Sequence, residues 1–128
     1  MIVNVSIFRD TSLINRIYID PTGQSISVLD LLAIPDDQFN WQSISEFQTK
    51  VFRELRQVRI GETVSYSELA QRMGRPRASR AVGQAMASNP FAISVPCHRV
   101  VLANGALGNY AWGPSLKSQL IGYERSLI

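Results

Sequence analysis

The chain has 128 residues, 45% of them hydrophobic, which suffices for one packed domain and argues against disorder. A single cysteine excludes an internal disulfide, no Cys-x-x-Cys or paired-histidine spacing offers zinc or iron a site, and no apolar run approaches a membrane span. Net charge is +3 but unevenly placed, with Arg72, Arg75, Arg77 and Arg80 falling within nine residues and no acid among them. Such a cluster is either a solvated face or a nucleic-acid contact, and the composition reads as a soluble, metal-free, cytoplasmic chain.

Apolar residues alternate with polar ones at Ile2, Val3, Val5 and Ile7 and again at Leu13, Ile14, Ile17 and Ile19. This predicts two short strands joined by the polar turn Arg9-Asp10-Thr11-Ser12. Pro21 to Gly23 stops the second strand, Ser27 to Leu32 reads as a short helix or strand, and Pro35 to Asn40 as a linker. A boundary near residue 40 divides a small β-containing segment, 1–40, from a mainly helical part, 41–128.

Ser45-Glu46-Phe47-Gln48 is a capping box, followed by Phe47, Val51, Phe52, Leu55 and Val58 at helical spacing up to Gly61. A second box, Ser65-Tyr66-Ser67-Glu68, opens a short helix that Gly74 is placed to end in a left-handed conformation. Arg77 to Ser88 predicts a third helix, closed by Asn89-Pro90, and the two helices around the tight glycine turn read as a helix-turn-helix. Val100 to Leu102 predicts a short strand running into the turn at Asn104-Gly105, followed by a loop rich in glycine and aromatics from Leu107 to Gly113. Pro114 fits the first position of a last helix carrying Leu116, Leu120, Ile121 and Glu124, with Lys117 on another side. The fold class is α/β of the α+β kind, a small N-terminal β segment packed on a helical, winged-helix-like domain.

The chemistry concentrates at Pro96-Cys97-His98-Arg99-Val100, where the only cysteine adjoins the only histidine. The reactive form of cysteine is the thiolate, and a free thiol is mostly protonated at neutral pH, so a neighbouring base matters. Taken alone, the pair is either an activated nucleophile or a small apolar cysteine beside a histidine. Glu124 is by itself either an exposed helix charge or a partner, and Asn89 a helix terminator.

Taken together, Tyr66, the run Ala78-Ser79-Arg80-Ala81-Val82-Gly83, Asn89-Pro90, Pro96 to Val100, Gly108-Asn109-Tyr110 and Glu124 resemble the O6-alkylguanine-DNA alkyltransferase family over residues 45 to 125. The resemblance implies direct-reversal repair without a cofactor: Cys97 takes the alkyl group from O6 of guanine, with O4 of thymine as a second candidate donor, once and permanently. It implies that His98 receives the thiol proton through a water, that Glu124 orients the imidazole, and that Asn89 orders the reactive turn. It implies a monomer that binds duplex DNA through the minor groove, with no membrane partner, near the nucleoid in a prokaryote. Arg80 would fill the gap left by a base flipped out of the stack, and Tyr66 would crowd its phosphate. Ala78, Ser79, Ala81 and Gly83 would keep the helix slim enough for the groove. Ser67, Arg75 and Arg77 would hold phosphates without reading sequence, and Tyr66, Pro96, Val100, Tyr110, Ala111 and Trp112 would line the base pocket.

Two departures stand out. The segment before Ser45 is shorter than the family's usual N-terminal domain, and Trp112 replaces a frequent glycine, which predicts a narrower pocket mouth and poorer reaction with benzyl-type substrates. Relatives that lack the cysteine sense the lesion without repairing it, a second reading that the retained thiol disfavours. A sequence-reading helix-turn-helix regulator is a third, disfavoured by the lack of polar base-reading side chains from Ala78 to Gly83.

Overall fold

The computed structural model describes residues 1–128. Strands β1 (Ile2–Asp10) and β2 (Leu13–Ile19) form the expected antiparallel hairpin, and a third strand, β3 (Gln24–Ser27), pairs with the other edge of β1, giving the order β2-β1-β3. The Pro21 to Gly23 turn therefore returns the chain to the sheet. The segment from Ser27 to Leu32 divides at its first residue: Ser27 ends β3 and caps α1 (Val28–Leu32) by accepting from the amide of Asp30.

Both capping boxes form, with Ser45 and Gln48 opening α2 (Glu46–Leu55) and Ser65 and Glu68 opening α3 (Tyr66–Arg72). The third helix is shorter than its sequence suggests. Arg75 to Ala78 close a turn in which the Ala78 amide donates to the Arg75 carbonyl, so α4 runs only from Ser79 to Ala87. Val100 and Val101 form β5 and pair in parallel with the two-residue β4 (Val64–Ser65). The last helix, α5 (Pro114–Arg125), starts at Pro114 as expected.

One core crosses position 40. Val5, Ile14 and Ile17 from the N-terminal sheet share a single buried cluster with Phe52, Leu69, Val82, Phe91, Cys97 and Leu120. Backbone bonds fasten the hairpin to the rest: the Ile17 amide donates to the Pro90 carbonyl at 2.8 Å, and the Asn40 amide to Ile14 at 2.9 Å. The Pro35 to Asn40 stretch contains a one-turn 3-10 helix and buries Phe39 against Phe91, with ring centroids 4.8 Å apart.

Candidate active site

Residues 91 to 100 are all buried, so the segment that carries the cysteine is part of the core although it has little regular structure. Side chains satisfy several of its backbone polar groups, alongside turn and bridge bonds such as Val95 N–H to the Phe91 carbonyl and Ala92 N–H to the Ile17 carbonyl. The Asn89 amide accepts from the Phe91 N–H at 2.8 Å and donates to the Val95 carbonyl at 3.2 Å and to Cys97 Sγ at 3.2 Å. Arg56, the C-cap of α2, donates to the carbonyls of Ser94 and Ile34 and pairs with Asp36 at 2.7 Å, while Ser94 Oγ donates to the Leu31 carbonyl. Ile93, at φ 65°, holds a left-handed conformation costly for a β-branched residue, within this tightly bonded segment.

Cys97, His98 and Arg99 form a single 3-10 turn. Burial pushes the Cys97 thiol up to about 12, with the Asn89 hydrogen bond and the Lys117 charge only partly opposing it, so the resting sulfur is a neutral thiol. Burial also lowers the pKa of His98, against the pull of Glu124, and keeps the imidazole neutral. Its Nε2 lies 2.7 Å from Glu124 Oε2. A carboxylate only accepts, so Nε2 carries the hydrogen and Nδ1 is left as the basic nitrogen. Nδ1 is buried and meets no protein partner, so the sulfur and the base do not touch directly.

Glu124 belongs to a larger charged cluster. Arg99 grips its carboxylate with Nε at 2.8 Å and Nη2 at 2.9 Å and donates from Nη1 to the Val58 carbonyl at 2.7 Å. These donors hold the Glu124 carboxyl at about 2 despite its burial. Arg99 had no role assigned from sequence, because its partner lies 25 residues away and leaves no local trace.

Lys117 corrects the reading of the last helix. It is fully buried on the same face of α5 as Leu120, Ile121 and Glu124, and its ammonium donates to the carbonyls of Val100 at 2.6 Å and Asn109 at 3.0 Å. Burial lowers its pKa to about 8. The spacing of 117, 120, 121 and 124 is that of one helical face, a signal masked by the expectation that lysine sits in water.

Beside the thiol lies a cavity of about 540 Å³, walled by Cys97, Tyr66, Met86, Leu102, Gly108, Asn109, Tyr110 and Ala111, with Arg80, Gly83, Gln84 and Ala87 of α4 completing it. Of the residues expected to line a base pocket, Tyr66, Tyr110 and Ala111 border this cavity and three others do not. Pro96 lines a separate hollow of about 220 Å³ together with Arg56 and Arg99. Val100 is fully buried, its carbonyl taken by Lys117. Trp112 packs edge-on against Tyr110, centroids 5.5 Å apart, so it props a cavity wall rather than narrowing the mouth, and the expected penalty for benzyl groups loses its basis.

Around the cavity, Arg80 is exposed on α4, and Arg75 and Arg77 are exposed in the preceding turn rather than on the helix, with Arg75 over the Phe47 ring at 5.8 Å. Ser67 is exposed on the first turn of α3, while Ala78 and Ser79 are half-buried at the start of α4. Gly83 faces Tyr66, whose ring would stand 3.6 Å from an added Cβ.

The family model described as 6-O-methylguanine DNA methyltransferase, DNA binding domain, matches residues 46–126. The methylated-DNA--protein-cysteine methyltransferase of Methanosarcina acetivorans is 50% identical over 82 residues, which are 64% of this chain and 53% of that protein. The chain spans about half the length of such curated relatives. Mycobacterium tuberculosis OGT in complex with DNA superposes with a TM-score of 0.79 at 32% identity, covering 95% of this chain and 86% of that one. Schizosaccharomyces pombe Atl1, bound to damaged DNA containing O6-carboxymethylguanine, aligns with a TM-score of 0.57 at 30% identity over 63% of this chain and 77% of its own. With the match running from the first turn of α2 to the end of α5, the chain belongs to the 6-O-methylguanine DNA methyltransferase family.

Proposed function

We propose that this protein repairs alkylated DNA by direct reversal, with Cys97 as the single-use acceptor of an alkyl group from O6 of guanine. The observation that carries this reading is a lone buried thiol beside an apolar, aromatic-walled cavity, flanked by a neutral imidazole whose other nitrogen is held by a buried carboxylate. That is the pattern of a nucleophile, a base and an orienting group. Flat rings such as Tyr66 and Tyr110 suit a purine drawn out of its stack.

In the step proposed, the Sγ–carbon bond forms as the carbon–O6 bond breaks, and the electron pair passes to the purine. The thiol proton moves through one water to Nδ1 of His98, giving an imidazolium beside the Glu124 carboxylate. A proton then returns to N1 of the leaving purine, so the products are guanine and a thioether. Nothing regenerates the thiol, and each molecule acts once.

The partner proposed is duplex DNA carrying O6-alkylguanine, engaged by a monomer through the minor groove. The exposed Arg80 would occupy the vacated base position, and Arg75 and Arg77 would meet phosphates. Relatives solved in complex with DNA support DNA as the partner, and a role on DNA would suit the cytoplasm or, in a prokaryote, the nucleoid. Lesion sensing without transfer, as a reading, is disfavoured by the retained cysteine. Intact-mass spectrometry after incubation with a methylguanine duplex tests the choice: Cys97 gains one methyl group, and Cys97→Ser gains none while still binding. Binding without mass gain in the parent protein supports the sensor instead.

A further inference from the structure

Two buried polar atoms find no partner in the protein, and they lie on adjoining rings. They are Nδ1 of His98 and the hydroxyl of Tyr110. The two rings meet edge to face with centroids 6.4 Å apart, and Tyr110 also borders the cavity that contains Cys97. The hydroxyl lies within the electrostatic reach of both Cys97 and Glu124, and burial raises its pKa, so it stays a neutral donor throughout the working range. Trp112 packs against the ring of Tyr110 and fixes where that donor points.

The two orphans are complementary in kind. Nδ1 is an acceptor, because the hydrogen of the imidazole faces Glu124. The phenol is a donor, and the pair makes no direct bond. A single water placed between them would accept from the Tyr110 hydroxyl and donate to Nδ1, with its second lone pair free for the Cys97 S–H. We propose that Tyr110 is a positioning residue for proton transfer, its hydroxyl holding the water through which Cys97 passes its proton to His98. The proposal rests on Cys97 being the alkyl acceptor. The proton balance is simple: the water takes the S–H proton and gives one of its own to Nδ1, while the Tyr110 proton stays in place. The other titratable groups around this point are Lys117 and Glu124 on α5, Arg99 beside His98, and Tyr66 on α3.

Tyr110→Phe tests it, because the substitution keeps the ring and its packing and deletes a hydroxyl that bonds to nothing in the protein. Single-turnover methyl transfer from a methylguanine duplex is followed by intact mass between pH 6 and pH 10, alongside duplex affinity and the melting temperature. Transfer at pH 7 falls about five-fold, the loss of one ordinary hydrogen bond. The rate of the variant then climbs toward the parent value as pH rises, since hydroxide replaces the misplaced relay, while affinity and melting stay unchanged. A variant equal to the parent at every pH overturns the proposal. So does one slowed by the same factor at every pH, which would mark a packing role or a substrate contact. A parent protein that gains no mass on Cys97 overturns the repair reading itself, and the relay with it.

Discussion

Replacing Glu124 with alanine puts the charged cluster under the most direct strain. The carboxylate is 1% exposed and receives three hydrogen bonds, one from His98 and two from Arg99. Without it the Arg99 guanidinium, itself 5% exposed, retains only the Val58 carbonyl. Deleting one member of a buried ion pair costs about 3–5 kcal/mol, and the cavity left by the lost methylene adds about 1 kcal/mol. A domain of this size holds roughly 5–15 kcal/mol in total, so the variant should sit near the edge of folding. Urea unfolding at pH 7 reads the effect as a fall in midpoint of about 2–3 M, for a slope of about 2 kcal/mol per molar. The decisive comparison is the double variant Arg99→Met/Glu124→Ala. Removing the stranded charge should restore about 1–2 kcal/mol relative to Glu124→Ala alone, a strongly non-additive result. A cost for Glu124→Ala below about 1 kcal/mol, or a double variant equal to the sum of the singles, would refute the view that this cluster is one electrostatic unit.

The same carboxylate sets the acid limit of stability. Glu124 is held at about 2 against an ordinary 4.5, so its contribution is fully present above pH 4.5 and lost as pH falls toward 2, amounting to about 3 kcal/mol. His98, buried neutral, resists the proton that the unfolded chain takes up below 6.5 and weakens the fold on the same side. Thermal melts from pH 7 to pH 3 should therefore fall steeply, and less so in Glu124→Gln; parallel curves would disprove the assignment. Arg80→Ala should slow repair of a duplex more than reaction with the free alkylated base, because only the duplex leaves a gap to fill, and equal losses would remove the gap-filling role. Neutralising Arg75 and Arg77 together should reduce the salt slope of duplex binding by roughly two, at about 0.9 per phosphate, and an unchanged slope would take them off the DNA. Gly108→Ala forces a side chain into φ 71° against Leu102 at 3.4 Å, which should cost about 1–2 kcal/mol and depress transfer by disturbing the cavity wall, with urea midpoints and transfer rates as the checks.

What the sequence disclosed followed from how local each signal is. The starts of α2 and α3 were legible because a capping box closes within four residues, and the β1–β2 hairpin because alternation is written along each strand. Strands β3 and β4 escaped: they are four and two residues long, and only pairing with distant partners makes them strands. The late start of α4 was hidden because Ala78 has strong helical propensity, yet the Arg75–Ala78 bond holds it in the preceding turn, outside α4. At the site, Cys97 and His98 drew attention by rarity and adjacency. Lys117, Arg99 and Arg56 did not, since burying a cation depends on carbonyls and carboxylates supplied from elsewhere in the chain.

The protonated state of the resting sulfur has a bearing on supply. A thiol at about 12 rather than the usual 9 carries about a thousandfold less thiolate at neutral pH, and thiolate is what peroxides and stray electrophiles attack. A protein used only once, as proposed for this one, would gain shelf life from that reticence, its stock declining with lesions met rather than with time spent waiting.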